Sequence, residues 1–420
     1  MLPVYLLASA ARTTEKSGLG NLIDFRSPIG PPPQIRPPYI MKLRQTQLSP
    51  DGAWTDSAGE LAPCDAQLVL AFGIRELLEA PELYQRVSER FPAAHVVMAS
   101  TSGNLLDQMI DDSGVICTAL ELEKSSLRVV SGNLSAYPDL ATLSRCLADE
   151  LLEPDLKHIF ILSDGGMVNG TVLIDAINAK LPPGATVTGG LAGDGTAFVK
   201  TVVGLNAPPS SGTIVAIGFY GAALQVGIGS SGGWTSFGPE RVVTKAEGNC
   251  LHELDGKPAL QLYKTYLGDQ AAGLPASALR FPLSVTPPGS SGPVVRTILS
   301  IDELTHQMTF AGDIPEGAKA QLMRASYEDL IDGAQQAAQQ AGQAQSGLVG
   351  AELVLCVSCV GRRIVLGQRT EEELECVREV CGEGAVLCGF YSYGELAPSR
   401  PQECCQLQNQ TMTITRLCEV

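Results

Sequence analysis

Three times along the chain, an apolar run ends in small polar residues, a helix-like stretch follows, and a second apolar run ends in a Gly-rich polar loop. The paired runs are residues 66–73 with 95–104, 158–165 with 185–194, and 352–359 with 385–395. Continuous apolar runs of this length between turn signals suit parallel strands buried on both faces. Such strands must have helices packed on the sheet, so the repeat predicts a βαβ unit used three times. Gly and small hydroxyl residues just past a strand place backbone N–H groups at the carboxyl edge, where open α/β sheets bind ligands.

Between the repeats the pattern changes to antiparallel strands. Residues 115–122 and 127–131 flank a polar stretch and read as a hairpin; residues 198–203, 213–220 and 224–228 read as a meander. A further hairpin is predicted over 294–300 and 307–310, and a closing strand over 411–415. Helices are predicted over 76–90, 168–180, 327–343 and 370–380, the third opening on Glu328 and Asp329, which favour a helix amino end. The fold class is α/β, with two α/β units built from repeated βαβ segments and added antiparallel hairpins. The first unit is placed at 61–255, the second at 256–400, and residues 401–420 supply a strand completing the second. Residues 1–40 hold a Pro-rich stretch and read as a disordered leader or a start set too far upstream.

A formal net charge of −16 argues against a nucleic-acid surface, which needs a basic patch. No apolar run is long enough to span a bilayer, and no basic residue precedes the apolar amino terminus as in a secretory signal, so a cytoplasmic protein without membrane insertion is expected. Eight of the twelve cysteines fall between Cys356 and Cys418. Cys356 and Cys359 have the spacing of half a zinc site, but an i, i+3 pair on a strand points to opposite faces and no second pair exists, so no metal site is expected.

Residues 189–195 lack both the GxGxxG and the Gly-Lys-Ser/Thr spacing of phosphate loops. Residues 229–233 match GxSxG but are followed by Gly and Pro rather than a helix. Of the four histidines, His95, His158 and His252 are candidates for the single axial ligand that a haem requires. Asp164, Asp194 and Glu395 stand at similar points in their repeats, just past an apolar strand. They would either hold a ligand or pin their own loops.

These loops resemble those of the FIST proteins. The likeness runs through Ser100-Thr101-Ser102-Gly103, Ser163-Asp164-Gly165, Gly189-Gly190-Leu191-Ala192-Gly193-Asp194 and Leu254-Asp255-Gly256, then Phe310-Ala311-Gly312-Asp313, Cys359-Val360-Gly361-Arg362, Gly389 to Glu395 and Asn409-Gln410-Thr411-Met412. It covers residues 61–417. Asn104 stands where the family often has Glu, and Gln408 where a His commonly precedes the Asn-Gln-Thr motif.

The resemblance implies a non-enzymatic sensor of a small ligand, with amino acids among the proposed ligands, which passes its signal to a partner protein such as a histidine kinase. Some members resemble haem-binding nitric-oxide sensors that regulate histidine kinases, and a haem is the alternative cofactor expectation. An enzyme assembled at the same loops is a further alternative. Together with the repeated loop chemistry, the resemblance points to Ser100, Thr101, Gly103, Gly190, Asp194, Arg362, Tyr391, Tyr393 and Glu395 as ligand-binding residues. Hydroxyls and backbone donors would orient the ligand, Arg362 would meet an anion, and Glu395 a cation.

Overall fold

Each repeat forms a parallel strand pair in the computed structural model, which describes residues 41–290, 292–343, 352–400 and 403–420. The expectation for residues 1–40 lies outside the described residues. The pairs are Leu68–Gly73 with His95–Ser100, Leu156–Ser163 with Thr186–Leu191, and Glu352–Cys359 with Ala385–Ser392. In each repeat the chain then returns antiparallel beside the first strand, as Val115–Leu122, Thr213–Tyr220 and Met412–Glu419.

The flanking strands are exchanged in a circle. Asn104–Leu106 leaves the first repeat to pair with Ala385–Ser392 of the third, Val203–Leu205 leaves the second for His95–Ser100 of the first, and Gly394–Pro398 leaves the third for Thr186–Leu191 of the second. Ser126–Asn133 likewise passes to the second sheet and Leu224–Ser231 to the third, while Met41–Leu48 completes the first against Val115–Leu122. The result is three six-stranded sheets that share one order over five strands, the sixth lying at the far end of the first sheet from its place in the other two. Each sheet takes edge strands from a neighbouring repeat, so its hydrogen-bonding edges are covered only when all three repeats are present.

The inner faces of the three sheets share one core. Phe72 and Leu70 of the first, Phe160 and Val215 of the second, and Leu355 and Phe390 of the third belong to it, and the Phe72 and Phe390 ring centroids lie 4.8 Å apart. The outer faces carry helices: Leu83–Arg90 on the first sheet, Leu140–Leu151 and Gly170–Asn178 on the second, Tyr327–Gln343 and Glu372–Cys381 on the third. Burial on both faces is the reason the strands read as unbroken apolar runs, and the α/β expectation holds. Between the second and third repeats, residues 235–324 form an eight-stranded sheet with its own core around Tyr263, Phe310 and Leu322.

Five local readings change. Residues 115–122 and 126–133 do not form the expected hairpin, nor 213–220 and 224–231 the expected meander, because each pair divides between two sheets. The helix expected over 76–90 is two, Arg75–Leu78 and Leu83–Arg90, interrupted around Pro81; the proline ring lacks the N–H that would continue the ladder. The strand expected over 198–203 is a loop, and only Val203–Leu205 pairs. The strand expected over 294–300 divides: Val294–Arg296 pairs with Leu283–Thr286, and Ile298–Asp302 pairs with Gln307–Phe310. All twelve cysteines are unpaired, with Cys356 and Cys359 buried.

Candidate functional site

At the carboxyl edge each chain must leave the sheet and come back beside its first strand, which buries backbone groups that need partners. The three repeats meet that need with one polar side chain each. In the first, Thr101 Oγ1 donates to Asn104 Oδ1 at 2.6 Å, and Asn104 Nδ2 donates to the carbonyls of Asp111 and Gly114 at 2.8 and 3.2 Å, just ahead of the return strand. In the second, Asp164 accepts from the backbone N–H of Gly166, Met167 and Gly212 at 2.7, 2.7 and 2.8 Å. In the third, Glu395 accepts from Ser392 Oγ at 2.6 Å and from Thr411 N and Oγ1 at 3.2 and 3.0 Å. Glu395 has no exposed surface, and burial, opposed by these hydrogen bonds, pushes its carboxyl up to about 8. It therefore holds a proton near neutral pH, which matches the uncharged amide of Asn104 at the related position.

Arg362 and Glu373 form an ion pair at 2.8 Å with both side chains at 0% exposure. The guanidinium also donates to the carbonyls of Gly232 and Leu330 at 2.8 and 2.6 Å. Glu373 accepts from Tyr391 Oη at 2.6 Å and Ser358 Oγ at 3.1 Å, and burial followed by the Glu373 charge holds the Tyr391 phenol well above its usual range. Arg362 thus already meets its anion inside the protein. The neighbouring Arg363 lies over the Tyr391 ring and pairs with Asp112 at 2.7 Å. A Cβ on Gly103 would lie 2.3 Å from Arg363 Nη1, and one on Gly190 would lie 2.5 Å from Val357 Cγ1. Ser100 Oγ accepts from Val202 N at 3.0 Å. Ser100, Thr101, Gly103, Gly190, Arg362, Tyr391 and Glu395 are thus buried supports of the carboxyl edges.

Asp194 and Tyr393 lead to open space. Asp194 accepts from Arg75 Nε at 3.0 Å and from the backbone N–H of Val199 and Lys200 at 3.4 and 3.1 Å, which shapes the loop between them. That loop turns Phe198 onto Tyr393, with ring centroids 4.6 Å apart and planes 15° from parallel. The Phe198 N–H donates to Tyr393 Oη at 3.2 Å, and burial pushes the Tyr393 phenol up to about 12. Both rings line a cavity of about 430 Å³. It is lined by the turn of Gly166, Met167 and Asn169, by Phe198, Lys200, Thr201 and Tyr393, and by Asn249, Leu299 and Phe310 of the inserted sheet. The size and the mix of apolar walls with a few polar groups suit a small molecule. Of the nine expected residues, Tyr393 alone lines it. Phe198 escapes a sequence reading because it looks like part of a strand, and Asn249, Leu299 and Phe310 because they come from another sheet.

The four histidines lie apart from this cavity. His158 is fully buried, its ring nitrogens 2.8 and 3.0 Å from the hydroxyls of Thr186 and Thr188, so iron could bind only by displacing one of them. His95 contacts Asn206 on the surface, His306 sits in a turn beside Gln261, and His252 lies on the inserted sheet. None lines the cavity described above, nor the cavity of about 680 Å³ at the opposite, amino edge of the second sheet. Among the described residues, no three His, Cys, Asp or Glu side chains converge as a metal set, and no helix is long and apolar enough to cross a membrane.

No curated protein matches the chain. A solved structure of a cyanuric acid hydrolase from A. caulinodans aligns over 90% of this chain and 99% of its own, at 6% identity and a TM-score of 0.36, too distant a likeness to carry an argument. The FIST N domain model matches residues 67–257 and the FIST C domain model residues 259–398. Together they span the three repeats' central strands and the inserted sheet, and the chain belongs to the FIST domain family.

Proposed function

We propose that this chain is a non-enzymatic, cytoplasmic sensor that binds a small metabolite of amino-acid size in the cavity of about 430 Å³ and transmits its occupancy to a partner protein. The observation that carries the reading is the origin of the walls. One set of lining residues belongs to the three-sheet body, from the second repeat, the loop after it and Tyr393 of the third, and the other to the inserted sheet, whose core is separate from those of the three-sheet body. A ligand that touches both biases how they sit against each other, and a partner that reads either surface feels the difference. FIST domains are proposed small-ligand sensors in signalling, which agrees with this use of the cavity.

The test is a thermal-shift screen of the twenty amino acids and related metabolites, followed by calorimetry. The reading expects a saturable rise in melting temperature with one chemical class, abolished by filling the cavity with Gly166→Trp. A Cβ on Gly166 would meet nothing closer than Asp164 Oδ1 at 3.6 Å, so the backbone accepts the change. A hit that binds equally well to Gly166→Trp would place the site elsewhere.

A further inference from the structure

We propose that the ligand carries a planar aromatic ring, uncharged or anionic overall, which stacks on the platform made by Phe198 and Tyr393. The inference rests on the cavity being the ligand site and adds the class of molecule that enters it.

The first support is the backbone of Phe198, which has φ 54°. That region is costly for a bulky residue and is kept where the surroundings over-determine it, often at functional sites. Here Asp194 holds the two N–H groups that follow Phe198, and Tyr393 Oη holds its own N–H. The ring these bonds position is not spent on the core: Phe198 is 52% exposed. One face lies on Tyr393, which leaves the other for a guest.

The second support is the company it keeps. Eleven large apolar residues are exposed among the described residues, and Met167, Phe198, Val199 and Leu299 are four of them. All four line this one cavity. Scattered exposed apolar residues need no explanation, but a cluster around a concavity marks a binding surface. Charge narrows the class further. Lys200 is the sole charged side chain in the wall and it pairs with Glu79; no carboxylate lines the wall to meet a cationic group, and Asp313 beside it is taken by Asn169. Asn169 is engaged with Thr171, Val172 and Asp313 and Asn249 with the Phe310 carbonyl, while the Thr201 hydroxyl, which accepts from the Gly165 and Gly166 N–H groups, has its own proton to donate at the ring's edge.

The experiment compares two anions of similar bulk, planar 2-naphthoate and globular adamantane-1-carboxylate, by calorimetry on the full chain, with Phe198→Leu, Phe198→Tyr and Gly166→Trp checked for folding by circular dichroism. The expected result is saturable naphthoate binding at least tenfold tighter than adamantane-1-carboxylate. Phe198→Leu should lose at least tenfold in naphthoate affinity while Phe198→Tyr keeps it, and Gly166→Trp should bind neither probe. Equal affinity for the two probes, no naphthoate binding, or an unchanged Phe198→Leu overturns the aromatic inference and leaves the cavity reading standing. Naphthoate binding that survives in Gly166→Trp overturns both.

Discussion

Glu395 is a carboxyl group kept where a charge is costly, and replacing it by Gln tests that statement directly. Its value rises from 4.5 to about 8 on folding, with burial as the main cause. Because the folded value lies above the unfolded one, the folded state keeps the proton over the wider pH range. The penalty is absent below pH 4.5, grows as pH rises toward 8, and is constant above that. At about 1.4 kcal/mol per pH unit, the gap is worth on the order of 5 kcal/mol when fully developed. Gln keeps an acceptor for Thr411 and offers a donor to Ser392, as Asn104 does in the first repeat. Glu395→Gln should therefore melt within about 1 kcal/mol of the parent at pH 4.5 and be more stable by about 3–5 kcal/mol at pH 8.5. Thermal unfolding of both chains at matched scan rates at the two pH values reads this out. A stability difference that does not change between them would mean that Glu395 carries no buried proton.

Removing Arg362 by substitution with Ala leaves Glu373 charged, enclosed and without its ion-pair partner, and is expected to cost about 3–5 kcal/mol. The double substitution Arg362→Met, Glu373→Leu should recover part of that loss; a single variant that melts like the parent would refute the pair's structural role. Gly190→Ala puts a Cβ 2.5 Å from Val357 Cγ1 in the shared core, and overpacking there should cost about 1–3 kcal/mol in melting measurements. His158 is held near 3 by burial, well below its ordinary 6.5. A histidine lowered on folding contributes stability above pH 6.5 that fades as pH falls toward 3, so its ring proton resonance should stay flat from pH 8 to 5 by NMR, and a midpoint near 6.5 would contradict the burial. Asp194→Ala removes the acceptor for Val199 and Lys200, and their amides should exchange at least about tenfold faster with deuterium while strand amides are unchanged.

The sequence by itself determined the three parallel pairs. Runs such as residues 353–359 must be buried on both faces, and the signal is local: every residue needed to recognise it lies within the run. It also located the carboxyl-edge loops, because Gly and small hydroxyl residues past a strand are local signals too. The circular strand exchange was decided in three dimensions, since Asn104–Leu106 and Val203–Leu205 are too short to show any period and gain their identity from partners far along the chain. The site was decided there as well. Arg362 and Glu395 are charged residues in sequence, yet one is neutralised by Glu373 and the other by its own proton, because burial sets the cost of charge and burial is a property of the assembled sheets. Tyr393 becomes a wall residue because Phe198, an apolar residue in a strand-like stretch, is turned outward by an acceptor at Asp194, while Phe310 lines the cavity from the inserted sheet.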